Sequence, residues 1–149
     1  MEIERKFLIE TAPEGYESYP FHMIEQAYLC TEPVVRIRRE DSDYYLTYKG
    51  KGLLSREEVN LPLTAESYSH LLAKADGNIL TKKRYLIPVE NRPDLTIEFD
   101  VFEGKFAGLM LAEVEFASEE EANAFIPPAW FTKDVTLSGE YQNSRLSKI

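Results

Sequence analysis

Three pairs of acids stand two residues apart on strand-like segments of this chain: Glu2/Glu4 around Ile3, Glu98/Asp100 around Phe99, and Glu113/Glu115 around Val114. On such segments two pairs of bases repeat the spacing, Arg36/Arg38 around Ile37 and Lys82/Arg84 around Lys83. On an extended strand, residues i and i+2 project from one face, so each pair sets two like charges side by side. Clustered carboxylates without His or Cys partners suit hard divalent ions such as Mg²⁺ or Mn²⁺. Arginine is the base suited to bidentate contact with phosphate oxygens. Acid pairs and basic pairs on alternate strands therefore describe a site where cations and metal together hold phosphate groups.

The elements that must position these residues are short alternating segments. "EIERKFLI" opens as a strand, with Glu2, Glu4 and Lys6 on one face and Ile3, Arg5 and Phe7 on the other. After the loop "APEGYESYP", the strand "MIEQAYLC" puts Gln26 and Tyr28 on one side. "VVRIRRED", "DYYLTYKGKG" and "LLSREEVNLPL" follow, and their polar faces carry Arg36 and Arg38, then Thr47 and Lys49, then Arg56, Glu58 and Asn60. Thr64 is placed to cap a helix over "AESYSHLLAKAD", with Gly77 as its stop. Strands resume with "TKKRYLIPV", "LTIEFDVFEG" and "LMLAEVEFA". Ser118 and Glu121 have capping-box spacing for a second helix, which ends at Pro127-Pro128. From Trp130 the tail reads as a turn and a short terminal helix.

What sets these strands apart is the composition of the polar face. It holds the acids Glu2, Glu4, Glu58, Glu98, Asp100, Glu113 and Glu115, and the bases Lys6, Arg36, Arg38, Lys49, Arg56, Lys82 and Arg84. Two architectures accommodate the pattern. In a sandwich or half-covered sheet, the charged faces meet water. In a closed barrel they point inward, where each charge must be paired, hydrated or ligated.

The totals narrow the classes. A length of 149 residues with 44% hydrophobic and 12% aromatic content fits one folded domain, expected to span residues 1–149. A net charge of −9 and a pI near 4.8 argue against nucleic acid or an anionic membrane as partner. The apolar runs are short of a membrane span and the start lacks signal-peptide order, so a cytoplasmic protein is expected. Cys30 reads as a small semi-buried residue, and His22 and His70 as surface or satisfied residues. Tyr44, Tyr45 and Tyr48 read as wall packing.

With "EIERKF" at its start, the chain resembles the CYTH superfamily, the triphosphate tunnel metalloenzymes, whose signature is ExExK. The resemblance runs on in order through "QAYL", "VRIR", "LTYKGKG", "SREE", "KKRY", "IEFDVFEG", "AEVEF" and "DVT…YQNSRL", nearly the whole chain. It departs at Asn60, where relatives often carry a second acid, and at Ala27, where glycine is common. The resemblance implies a mainly β (α+β) fold: an eight-stranded antiparallel closed barrel, its charged lumen a tunnel, with a few flanking helices.

It also implies metal-dependent cleavage of a triphosphate. By position, Glu2, Glu4 and Glu115 match acids holding one metal ion, while Asp100 and Glu113 match ligands of the same or a second ion, Mg²⁺ or Mn²⁺. Lys6, Arg36, Arg38, Lys49, Arg56, Lys82 and Arg84 match bases that grip phosphate oxygens. Lys82, Tyr28 and Lys6 are the candidate catalytic groups, assisting the leaving phosphate or positioning the chain. Inorganic triphosphate is the expected substrate. The alternatives are an adenylate cyclase, a thiamine or nucleoside triphosphatase, and a non-catalytic polyphosphate or nucleotide binding module. Partners are expected to be small molecules, with a homodimer left open.

Overall fold

The alternating segments pair into one antiparallel sheet that closes on itself; the structure, a computed structural model, describes residues 1–149. Ten strands form: β1 (Glu2–Leu8), β2 (Phe21–Thr31), β3 (Val34–Glu40), β4 (Asp43–Lys49), β5 (Ser55–Arg56), β6 (Glu58–Pro62), β7 (Asp76–Val89), β8 (Arg92–Glu103), β9 (Met110–Glu115) and β10 (Lys133–Asp134). The helices are α1 (Ala65–Leu72), α2 (Glu119–Ala124) and α3 (Asn143–Leu146). Around the sheet the order is β1-β9-β8-β7-β2-β3-β4-β6, and β5 returns to β1. Only Glu57 separates β5 from β6, so the two act as one interrupted strand. Counted that way the ring has the eight members expected, with β10 outside it on the Phe7–Leu8 end of β1.

The apolar faces point outward and are covered on two sides. Phe7, Ile97, Phe99, Ala112 and Val114 form the larger cluster against Ala122, Phe125 and the Trp130–Phe131 segment after α2. On the other side α1 lays Tyr68, Leu71 and Leu72 over Ala27, Ile37 and Leu46. Each fully buried side chain of this size contributes roughly 1.5–3 kcal/mol, whereas buried ion pairs contribute little or nothing net. The outer clusters therefore hold the barrel together, and the lumen is free to be charged. Arg5, on the outer face of β1, ties α2 down by donating to the Ala122 and Phe125 carbonyls at 3.0 and 2.9 Å and pairing with Asp134 at 2.8 Å.

Along the strands the inward rows change character. Below Lys6, Lys82, Asp100 and Glu113 come Leu8, Leu80, Phe102 and Leu111, which pack with Tyr28, Val34, Tyr141 and Leu146 of α3. One end of the lumen thus has an apolar floor braced by the C-terminal segment. No helix is long and apolar enough to cross a membrane.

Several local expectations change. Thr64 does cap α1, in a reciprocal pair with Ser67, but the helix ends at Leu72, and Gly77 lies inside β7 with φ +72°. Its left-handed backbone marks a register shift in the β2–β7 pairing near Tyr28 instead of a helix stop. Ser118 caps α2 by accepting the Glu121 N–H. Cys30 is exposed, its thiol donating to the Pro33 carbonyl. His22 is paired with Asp41 at the surface. The β10 strand has no counterpart in the sequence reading; two residues are too short a period to detect.

Gly77 is also where the C-terminal segment docks: a Cβ there would collide with the Ser147 carbonyl, which accepts from Asn78 N–H. Gly77→Ala is expected to lower unfolding stability by roughly 2 kcal/mol, through backbone strain and displacement of Ser147, measured by urea denaturation.

Candidate active site

Strand alternation carries the paired charges into the barrel, where they line one cavity of about 730 Å³. From β1 come Glu2, Glu4 and Lys6; from β9, Glu113 and Glu115; from β8 and β7, Glu98 and Arg84. Across the barrel β2 and β3 supply Tyr28, Arg36 and Arg38, while Lys49, Arg56 and Glu58 close the ring from β4, β5 and β6. Lys82 and Asp100 lie behind this lining, both wholly buried. All the sequence-predicted site residues are thus in the lumen or its wall, and two do not reach the cavity surface.

Most of these charges neutralise one another. Asp100 accepts from Arg84 Nε at 2.7 Å and Nη2 at 2.8 Å, and its second oxygen also meets Lys82 Nζ at 2.7 Å. Glu113 sits between Lys6 at 3.3 Å and Arg84 at 3.4 Å. Glu2 meets Lys49 at 2.9 Å and Arg56 at 3.3 Å, and Lys49 reaches Glu58 at 3.3 Å. Burial works against ionising Asp100 and Glu113, yet their cation partners hold both below the ordinary carboxylate range, Arg84 and Lys82 for the one, Lys6 and Arg84 for the other.

Four groups escape this pairing wholly or nearly so: Arg36, Arg38, Glu4 and Glu115. Arg36 donates to Thr47 Oγ1 at 3.0 Å, but its Nε is buried with no partner. Burial, and then the neighbouring Arg38 guanidinium, pull it down to about 10. Arg38 gives two hydrogen bonds to a neutral acceptor, Gln26 Oε1, at 2.9 and 2.6 Å, with Glu40 no nearer than 3.9 Å. On the far wall Glu4 makes neither ion pair nor hydrogen bond; its strand partner in register is another acid, Glu115. Like charges directly opposite repel. Burial, followed by the charges of Glu113 and Glu2, pushes Glu4 up to about 8, and burial with Glu2 raises Glu115. Round the ring of eight, β3 is four places from β9 and three from β1, so Arg36 and Arg38 stand on the wall across from Glu115 and Glu4.

The donor chemistry tests the expected metal. Glu4 and Glu115 are hard oxygen donors with no cation partner, a surplus that a divalent cation would relieve, so they fit an ion; Glu2, which meets Lys49 and Arg56, would join them by turning from those cations. No three acids converge on one point as the side chains stand, because Glu2 is turned toward Lys49 and Arg56. Asp100 and Glu113 are each engaged by two cations, Arg84 with Lys82 and Lys6 with Arg84, so an ion bound there would have to share or displace them.

Lys82 has a different property. Burial drives its ammonium down to about 7 against the pull of Asp100, with Arg84 and Arg38 adding to the fall. It also donates to Asn143 Oδ1 at 3.4 Å, and the Tyr28 hydroxyl accepts from Gln26 at 3.3 Å.

The sequence reading missed Tyr45, Glu40, Asn143 and Ser144, all of which line the cavity. Tyr45 shares the inward face of Thr47 and Lys49, so alternation places it on the lumen and not in the wall packing expected of it. Tyr44 also lines the cavity, while packing on Tyr68 at 5.1 Å. Asn143 and Ser144 arrive on α3, far from the strands in sequence, and no local signal places them.

Comparisons with known proteins agree with this geometry. A family model for the CYTH domain matches residues 1–149. The chain is 39% identical over 151 residues to an inorganic triphosphatase of Nitrosomonas europaea, covering 98% of this chain and 96% of that protein. It is 30% identical over 152 residues to an inorganic triphosphatase of Acetivibrio thermocellus, covering 99% and 93%. Among solved structures it is similar to the crystal structure of the inorganic triphosphatase NE1496, with TM-score 0.71 and 36% identity over 99% of this chain and 94% of that one.

The raised carboxylate has a consequence for stability. Between pH 4.5 and 8 the fold keeps the Glu4 proton that the unfolded chain releases. Stability from this group therefore falls as pH rises through that window. Above about pH 5, Asp100 and Glu113 are ionised in both states, and Lys82, held near 7, adds stability with rising pH only above that value. In chelator, unfolding stability is expected to drop by roughly 1 kcal/mol from about pH 5.5 to pH 7, after discounting for partial exposure. Glu4→Gln should flatten that slope in urea titrations, and added Mg²⁺ should stabilise the wild type more at the upper pH than at the lower.

Proposed function

This chain belongs to the CYTH domain family, and from that premise we propose that it is a divalent-metal-dependent hydrolase that cleaves inorganic triphosphate with water into pyrophosphate and phosphate. The observation that carries the reading is the mismatch across the lumen: Arg36 without a carboxylate and Arg38 with only Glu40 at 3.9 Å on one side, Glu4 and Glu115 without a cation on the other, in one cavity. A phosphate chain satisfies the arginines, and the cation that accompanies it satisfies the acids. Neither an anion alone nor a metal alone satisfies both walls.

In this reading Arg36 and Arg38 bind non-bridging oxygens of the chain and spread the charge that builds up during phosphoryl transfer. Glu2, Glu4 and Glu115 would hold a Mg²⁺ or Mn²⁺ ion, which when bound supplies Lewis-acid charge to phosphate oxygens. Lys6, Lys49, Arg56 and Arg84 stand on the lining beside their carboxylates and reach the same anion from around the ring. Lys6 orients the chain. The Tyr28 hydroxyl, on the lining, would hydrogen-bond the leaving phosphate. Lys82 acts from behind: it fixes Asp100, and Asp100 fixes Arg84.

The test is phosphate release from tripolyphosphate with Mg²⁺ or Mn²⁺, run beside ATP and thiamine triphosphate. Tripolyphosphate should be turned over best, and activity should vanish in chelator. Arg36→Ala and Arg38→Ala should each lower kcat/KM by about a hundredfold or more. Cyclic AMP formed from ATP as the main product would overturn the hydrolase reading in favour of a cyclase. Tight tripolyphosphate binding with no turnover of any substrate would overturn it in favour of a binding module.

A further inference from the structure

The inward row of β3 reads Val34, Arg36, Arg38, Glu40, and its two ends differ. Val34 is buried in the apolar floor with Leu80, Phe102 and Leu146. Glu40 stands at the other end, one inward step of about 6.8 Å beyond Arg38, beside the β3–β4 turn where it pairs with Asp43. Its carboxylate is held in place: Tyr45, facing inward from β4, donates its hydroxyl to Glu40 Oε1 at 3.1 Å. Both acids line the cavity. The side chain of Glu40 is 27% exposed, so its charge is only partly screened.

A polyanion lying along this row meets an uncharged floor at one end, two guanidiniums in the middle and a carboxylate at the other end. It cannot extend past Val34, because the floor is packed. Extension past Arg38 brings the next phosphate against Glu40 and Asp43. Resting on the triphosphatase reading above, we propose that Glu40 is a specificity-determining residue that limits the length of the phosphate chain, admitting tripolyphosphate and rejecting longer linear polyphosphates. Tyr45 is its positioning residue. Glu40 Oε1 also lies 3.9 Å from Arg38 Nη1, so the carboxylate sits at the end of the arginine pair and faces any phosphate that extends beyond it.

The experiment compares kcat/KM for tripolyphosphate and tetrapolyphosphate in the wild type, Glu40→Gln and Glu40→Lys, with the melting temperature of each as a check on folding. Inhibition of tripolyphosphate hydrolysis by tetrapolyphosphate reads binding separately from turnover. The wild type should prefer tripolyphosphate by about tenfold or more. Glu40→Gln keeps an acceptor for Tyr45 and removes only the charge; it should narrow the preference by about fivefold, chiefly through KM, and Glu40→Lys should narrow it further. A preference unchanged within about twofold in both folded variants, or a wild type that takes both substrates equally, would overturn the role of Glu40. Absence of tripolyphosphate turnover in the wild type would overturn the triphosphatase reading first, and the length limit with it.

Discussion

Charge buried in a closed barrel has to be balanced inside that barrel, and in this protein the balance is incomplete on two facing walls. Arg36 and Arg38 lie on β3 with only neutral acceptors, Thr47 and Gln26, at hydrogen-bond distance. Glu4 lies on β1 beside Glu115, with no cation of its own. Either group could have been neutralised by one substitution at a neighbouring inward position. Leaving both unmatched costs stability in the empty protein and is recovered only by a ligand that carries charge of both signs. The architecture follows from that requirement: a wall closed enough to keep the dielectric low around a cavity of about 730 Å³.

The remaining charges have a different purpose. Asp100 is wholly buried and accepts from two bases, so it behaves as a fixed anion that orients Arg84 and Lys82. Glu113 does the same for Lys6 and Arg84. These pairs contribute little net stability. What they contribute is position, since a guanidinium clamped by a bidentate carboxylate presents its remaining donors in one direction. Stability comes instead from outside the ring, where Phe7, Phe99 and Val114 pack under α2 and Ala27 and Ile37 pack under α1. The division lets the lumen be tuned for chemistry while the outer clusters keep the fold.

Much of this was legible in the sequence. The alternation in "EIERKF", "VRIR" and "IEFD" is a local property of extended backbone, and every strand it predicts is present. Alternation could not say whether the charged face looks to water or to a lumen, since a sandwich and a barrel share the same period. The family motifs pointed to the barrel, and the pairing of β5 with β1 closes it. Features with no period escaped: the two-residue β10, the contribution of Asn143 and Ser144, and the role of Gly77, whose place inside β7 depends on where Ser147 docks. Asp100 and Glu115 illustrate the limit best. Both belong to acid pairs of identical spacing, yet one is saturated by Arg84 and Lys82 and the other is left with excess negative charge.

By itself, then, the sequence determined which residues share a face and what chemistry that face can support, because spacing along a strand is set by backbone geometry within a few residues. Only the tertiary structure decided which charges are neutralised and which stay open to a ligand. That depends on neighbours from strands distant in the chain, such as Glu113 beside Lys6 or Gln26 beside Arg38, and on the barrel closure that removes water from between them.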